Sequence, residues 1–161
     1  MAKEKSTRGT ASQFFVAGEL ARRGFAAVVT LGNTPNTDVL CSNIEGTRFV
    51  HIQVKTFVPG TKKCMVGQKA EKDFGDNFFW VLGGIPEPGS EDFEYYVIPA
   101  REMAPNIKKA HSRWLAGTGK RNPKHEDSGV RIVWLKPRSG EDWDVAQYKD
   151  RWDLIAEKLK P

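Results

Sequence analysis

Asp38-Val39-Leu40-Cys41, a short turn, then Arg48-Phe49-Val50-His51-Ile52-Gln53-Val54-Lys55-Thr56-Phe57: the fold of this chain is decided here. Successive side chains of a strand point to opposite faces. Val50, Ile52 and Val54 therefore form one apolar face, and His51, Gln53 and Lys55 share the other. Phe49 and Phe57 lie on the polar side and bracket it, so His51, Gln53 and Lys55 are expected to line a cleft and not open water. The polar turn Asn43 to Gly46 is short enough for a hairpin. A hairpin sets Asp38, at the start of the neighbouring strand, near Gln53 and Lys55.

Working outward, an amphipathic helix is expected over about Ser12 to Arg23, with Ser12 as N-cap and Gly24 as the C′ stop. Its apolar stripe is read as Gln13, Ala17, Leu20 and Gly24, widened by Phe14 and Ala21. A first strand follows at Phe25 to Leu31. Helix, three strands and short turns predict a meander with the helix on one face. Downstream, residues 60 to 76 are lysine-rich and read as a loop, with room for a short helix. Phe78 to Gly84 is an apolar run bounded by glycines and reads as a buried strand. Tyr95 to Ile98 is a further strand. Ala100 to Leu115 has helical spacing, with Pro105 expected to delay or kink it. Residues 117 to 129 form a loop, Arg131 to Leu135 a short strand, and Trp143 to Leu159 a last helix. No internal repeat or linker divides the chain, so residues 1–161 are expected to form a single domain, with 1–10 a flexible basic tail.

The chain has 161 residues, 39% hydrophobic and 28% charged, which suits a globular protein with a real core. No apolar run approaches the ~20 residues of a membrane helix, and the N-terminus lacks a signal-peptide pattern, so a cytoplasmic protein without membrane attachment is expected. The net charge of +5 suits an anionic partner such as DNA. Cys41 and Cys64 match neither a disulfide framework nor a zinc motif, and read as packing residues.

A carboxylate, an amide and an ammonium on adjacent strands suit phosphodiester hydrolysis. The carboxylate offers hard oxygen to a divalent cation, which polarises the phosphoryl group and acidifies a water. The lysine orients or deprotonates that water, or neutralises developing charge. Asp38 with Gln53-Val54-Lys55 resembles the PD-(D/E)XK nuclease superfamily, whose signature is an Asp near the start of one strand and (Asp/Glu)-x-Lys on the next. The resemblance covers residues 12 to 57 well and the rest loosely. Two departures stand out. Thr37 precedes Asp38 where the signature has proline, the nearest being Pro35. Gln53 takes the acidic place, a Gln-x-Lys variant found in some homing endonucleases, and the superfamily also includes Holliday-junction resolvase-like proteins. The family's helix acid maps to about Gln13. The resemblance implies an α/β, restriction-endonuclease-like core, a mixed central sheet flanked by helices (αβββαβ). It implies a Mg²⁺- or Mn²⁺-dependent endonuclease acting on DNA, with Asp38 and Gln53 at the metal, Lys55 at the attacking water and Gln13 in support.

Glu19, the acid of this helix, lies about 240° around from Gln13 by helical geometry, on the side of Ser12, Arg22 and Arg23. It reads either as a solvated acid or as a supporting one. His51 reads as a phosphate contact or as a hydrogen-bonded structural histidine. Lys109, Arg113, Lys120 and Arg121, with Trp114 among them, read either as a track for a phosphate backbone or as a solvated helix end. His111, His125, Glu126 and Asp127 fit no zinc spacing. Aromatic residues of the last helix read as core, or as a homodimer interface. The alternative to the enzyme is a catalytically inactive nuclease-like domain that binds nucleic acid or a protein partner.

Overall fold

A computed structural model describes the backbone of residues 2–31, 34–119 and 123–161, and side chains within those spans from residue 7 onward. Helix α1 spans Ala2–Arg22. It is longer at its start than the spacing predicts: the stretch expected to be a flexible tail is helical from Ala2, because it holds no proline and several good helix formers. Arg8, in this added portion, pairs with Glu87. Ser12 is therefore no cap but a fully buried helix residue. The buried stripe runs Ser12, Val16, Leu20, at intervals of four, while Phe14 is 62% exposed and does not belong to it. Gly24, at φ +91°, closes the helix as expected. Phe25 N–H donates to the Leu20 carbonyl and Gly24 N–H to that of Ala21, the paired bonds of a Schellman ending.

Strands β1 (Ala26–Val29), β2 (Val39–Ser42) and β3 (Phe49–Phe57) form the antiparallel meander read from the sequence. The segment read as a loop holds a strand, β4 (Lys63–Gly67), and a 3-10 turn at Gln68–Glu71. Its Cys64 and Val66 are buried at period two, a pattern too brief to stand out among lysines. Then come β5 (Phe78–Gly84), β6 (Glu94–Pro99), α2 (Ala100–Ala116) and β7 (Val130–Trp134). Pro105 does not delay α2, which starts at Ala100. The carbonyl that Pro105 leaves without an intrahelical donor belongs to Arg101, an exposed residue that water can serve.

The last helix is shorter than read. A 3-10 turn spans Val145–Tyr148 and α3 only Asp153–Leu159. Between them Lys149 bridges Tyr96, Asp150 N–H donates to the Tyr95 carbonyl at 2.9 Å, and Asp150 adopts φ 52°. Bonding to β6 has displaced helical continuity.

The main sheet runs β1-β2-β3-β5-β6, with the β3–β5 pair parallel and the others antiparallel; β4 and β7 form a separate antiparallel pair. The β3–β5 crossover is made by β4 and its 3-10 turn, where the expected element order has a helix. One face of the sheet buries Val50, Ile52, Val54, Phe79 and Val81 against Val16 and Leu20 of α1 and Ile155 and Leu159 of α3. The other buries Phe57, Phe78, Trp80 and Leu82 with Met103 and Ile107 of α2 and with Cys64, Val66 and Val133 of the small sheet. Each face removes a dozen or more side chains from water, at about 1.5–3 kcal/mol for each large apolar one. Arg131, almost fully buried on β7, ties the small sheet down: its Nε donates to Glu71 at 2.5 Å and a terminal nitrogen lies 3.2 Å from Asp127.

Candidate active site

The register of β2 and β3 pairs Val39 with Ile52, so Asp38 stands opposite Gln53 just beyond the end of β2. Its backbone and that of Thr37 are fixed there by three bonds. Asp38 N–H donates to the Ile52 carbonyl at 2.8 Å, Thr30 N–H donates to the Asp38 carbonyl at 3.0 Å, and the Thr30 hydroxyl donates to the Thr37 carbonyl at 2.6 Å. β3 continues past this point without β2 beside it. Into the fork so formed the Asp38 carboxylate turns. Oδ2 accepts the Val54 backbone N–H at 2.7 Å and a hydrogen bond from Gln53 Nε2; Oδ1 accepts from Gln13 Nε2 at 3.3 Å. The structure thus brings Gln13, Asp38 and Gln53 to one place, from α1, the start of β2 and the middle of β3.

Lys55, two residues along from Gln53 on the same face, is half-buried. Its charge is felt by Cys64 on β4. Burial pushes that thiol up to about 12, and the Lys55 ammonium pulls the other way. Cys41 is also raised to about 12 by burial. Both cysteines are free, buried and, as protonated thiols, unreactive at neutral pH.

The alternation expected along β3 holds, with Val50, Ile52 and Val54 buried and Gln53 and Lys55 half-buried. His51 is exposed on the polar face, its Nδ1 3.2 Å from the Thr37 hydroxyl, so it braces the residue before Asp38. Phe49 is exposed and does not close the cleft, whereas Phe57 is buried in the core. Glu19 is not brought to Asp38. Its carboxylate lies 3.0 Å from Arg22 and 3.4 Å from Arg23, one helical turn on. On α2, Lys109 is exposed and Arg113 pairs with Glu141 at 3.3 Å. Lys120 and Arg121 lie outside the described residues.

Sequence reasoning missed the Val54 N–H as a partner of Asp38. A backbone donor leaves no mark in the residue types; this one is free for Asp38 because β3 runs on beyond Ile52, its last partner in β2.

Among the described residues no trio of His, Cys, Asp or Glu gathers as a metal cage. The donors at hand are one carboxylate and two side-chain amides, each with a carbonyl oxygen at one end. Hard oxygens suit Mg²⁺ or Mn²⁺ better than zinc, and Mg²⁺ commonly takes one or two carboxylates and keeps several waters. The set fits such an ion, with a single negative charge.

No protein-family model and no curated protein matches the chain. Among solved structures, a bacterial homing endonuclease superposes with a TM-score of 0.55 at 16% identity, covering 94% of this chain and 91% of that one. A Holliday junction resolvase from the archaeal hyperthermophile Archaeoglobus fulgidus superposes with a TM-score of 0.43 at 15% identity, over 78% and 83% of the two chains. No helix among the described residues is long and apolar enough to cross a membrane. With a mixed five-stranded sheet flanked by helices, matched along nearly its whole length by the first of these nucleases, the chain has the restriction-endonuclease-like fold.

Proposed function

We propose that the chain is a metal-dependent DNA endonuclease of the Gln-x-Lys type. What supports this reading is the convergence of Gln13, Asp38 and Gln53 at the fork between β2 and β3, with Lys55 beside them. The fold and the basic balance agree with it. Asp38 offers carboxylate oxygen to Mg²⁺ or Mn²⁺, and Gln53 and Gln13 offer neutral amide oxygen or orient the carboxylate. The ion, when bound, polarises the phosphodiester and acidifies water. Lys55, as an ammonium, orients the attacking water, whose proton passes to solvent, and neutralises charge that develops on the phosphoryl oxygens. The Val54 N–H holds Asp38 so that its carboxylate does not have to be ordered during the reaction. Cutting both strands calls for a second copy of the site, which a homodimer supplies.

The test is cleavage of plasmid, single-stranded and branched DNA with Mg²⁺ or Mn²⁺. Cutting is expected, with loss in EDTA and a fall of about a hundredfold or more for Asp38→Ala and Lys55→Ala. Uncut DNA of all three kinds, or variants that cut like the parent, overturns the enzyme. The two amides at acidic places favour one other reading, a catalytically inactive nuclease-like domain that binds nucleic acid or a protein partner. Its mark is DNA binding that falls steeply with salt, without any heat on Mg²⁺ titration.

A further inference from the structure

A second concavity lies away from the Asp38 fork, between α2, β7 and residues 138 to 142, with a volume of about 390 Å³. Ile107, Ala110 and Ile132 give it an apolar floor, and Trp114 and Trp134 give it aromatic walls. Both walls are braced. Trp114 stacks on His125 at 4.1 Å between ring centroids and on His111 at 5.4 Å. The Arg138 guanidinium lies 3.9 Å from the centre of the Trp134 ring. Arg138 is in turn held by Asp142, which accepts its backbone N–H at 2.7 Å. At the mouth a terminal nitrogen of Arg113 lies 3.3 Å from the Glu141 carboxylate.

The cavity's size is at the lower end of small-ligand sites. The rim carries both signs, Arg113 and Arg138 against Glu141 and Asp142. Such a rim suits a neutral ring with donors and acceptors on its edge better than it suits a bare anion or an alkyl chain. Flat apolar and cationic surfaces stack such rings.

We propose that this cavity takes one unpaired nucleobase, stacked against the Arg138–Trp134 layer with its polar edge toward Arg113 and Glu141 at the mouth. The inference rests on the nucleic-acid reading above and adds to it a preference for DNA with an extrahelical nucleotide. It uses Arg113 and Trp114, but as parts of a pocket and not of a backbone track.

Binding is measured without divalent metal, by anisotropy of three labelled duplexes: perfectly paired, with a one-nucleotide bulge, and with the same bulge lacking its base. Deoxynucleoside monophosphates are added as competitors in a separate arm. The base-bearing bulge is expected to bind about tenfold more tightly than the abasic one. Trp134→Ala and Arg113→Gln should each erase the difference while melting like the parent, and Asp38→Ala should keep it. Competition by free nucleotides at low millimolar concentration identifies a free nucleotide as the natural occupant; its absence, with the bulge preference intact, identifies the nucleotide within a strand. Equal binding of the two bulges, or a preference that survives both pocket variants, overturns the proposal. Cutting without base preference removes only the pocket, and base-dependent binding without cutting removes only the nuclease.

Discussion

At the scale of single residues, the chemistry turns on charge. Two carboxylates this close repel each other until a cation arrives; here two neutral amides donate to Asp38 instead. Gln53→Glu exchanges a donor for a like charge. Its melting temperature at neutral pH without divalent ions is expected to fall by the equivalent of about 1–3 kcal/mol, the scale of a lost hydrogen bond to a charged group. On the proposed reading Mg²⁺ then raises the variant's melting temperature by more than it raises the parent's. A variant as stable as the parent in EDTA, or an equal Mg²⁺ response, counts against this account. Much of the site was legible beforehand. Period two placed Gln53 and Lys55 on one face, the short hairpin brought Asp38 across, and helical spacing put Gln13 toward the sheet and Glu19 toward its arginines. The His51–Thr37 contact and the Val54 donor were not, since both depend on where β2 stops pairing.

At the scale of elements, α1 and β5 meet through one close approach. A β-carbon placed on Gly83 would lie 2.5 Å from the Ser12 hydroxyl oxygen, which is itself buried without a partner. Gly83 is therefore required by the helix that crosses it, and that helix carries Gln13 to the site. Gly83→Ala is expected to cost about 1–3 kcal/mol by overpacking. Ser12→Ala removes an unsatisfied hydroxyl and should be close to neutral, and the double variant should recover much of the loss. Urea melts of the four proteins measure this; additive losses would mean that the two residues do not meet. The elements whose patterns ran long, β3 and β5, were readable from residue types alone. β4 was hidden among lysines, and the break at Asp150 could not be foreseen because its cause is a backbone bond to Tyr95, distant in sequence.

At the scale of the molecule, stability is expected to form a broad plateau in pH. The hydrogen bond from His111 holds the Asp127 carboxyl below its ordinary value, and that from Arg151 does so for Asp153. For Asp142, burial raises the value but the bonds and charge of Arg138 outweigh it. A carboxyl lowered by folding stabilises above its unfolded pKa near 3.8, and that contribution is lost as pH falls through the folded value. Burial raises Tyr95 and Tyr148 to about 12, helped by Glu19 and Asp150 for the first and Glu102 for the second. A raised tyrosine stabilises fully below its unfolded value near 10, and this is lost toward 12. Calorimetric melting temperatures should hold steady between about pH 5 and 9 and decline on both sides. Constant melting between pH 5 and 3 would show that these carboxyl contacts do not form.

The short join between the 3-10 turn and α3 has one more effect. β6 is an outermost strand whose Tyr95-Tyr96-Val97-Ile98 run is the kind that, left bare, recruits the same strand of a neighbouring molecule. Lys149 and Asp150 occupy part of that rim, and β1, at the opposite rim, offers only four residues. The C-terminal segment therefore guards against fibrous self-association as well as completing a core.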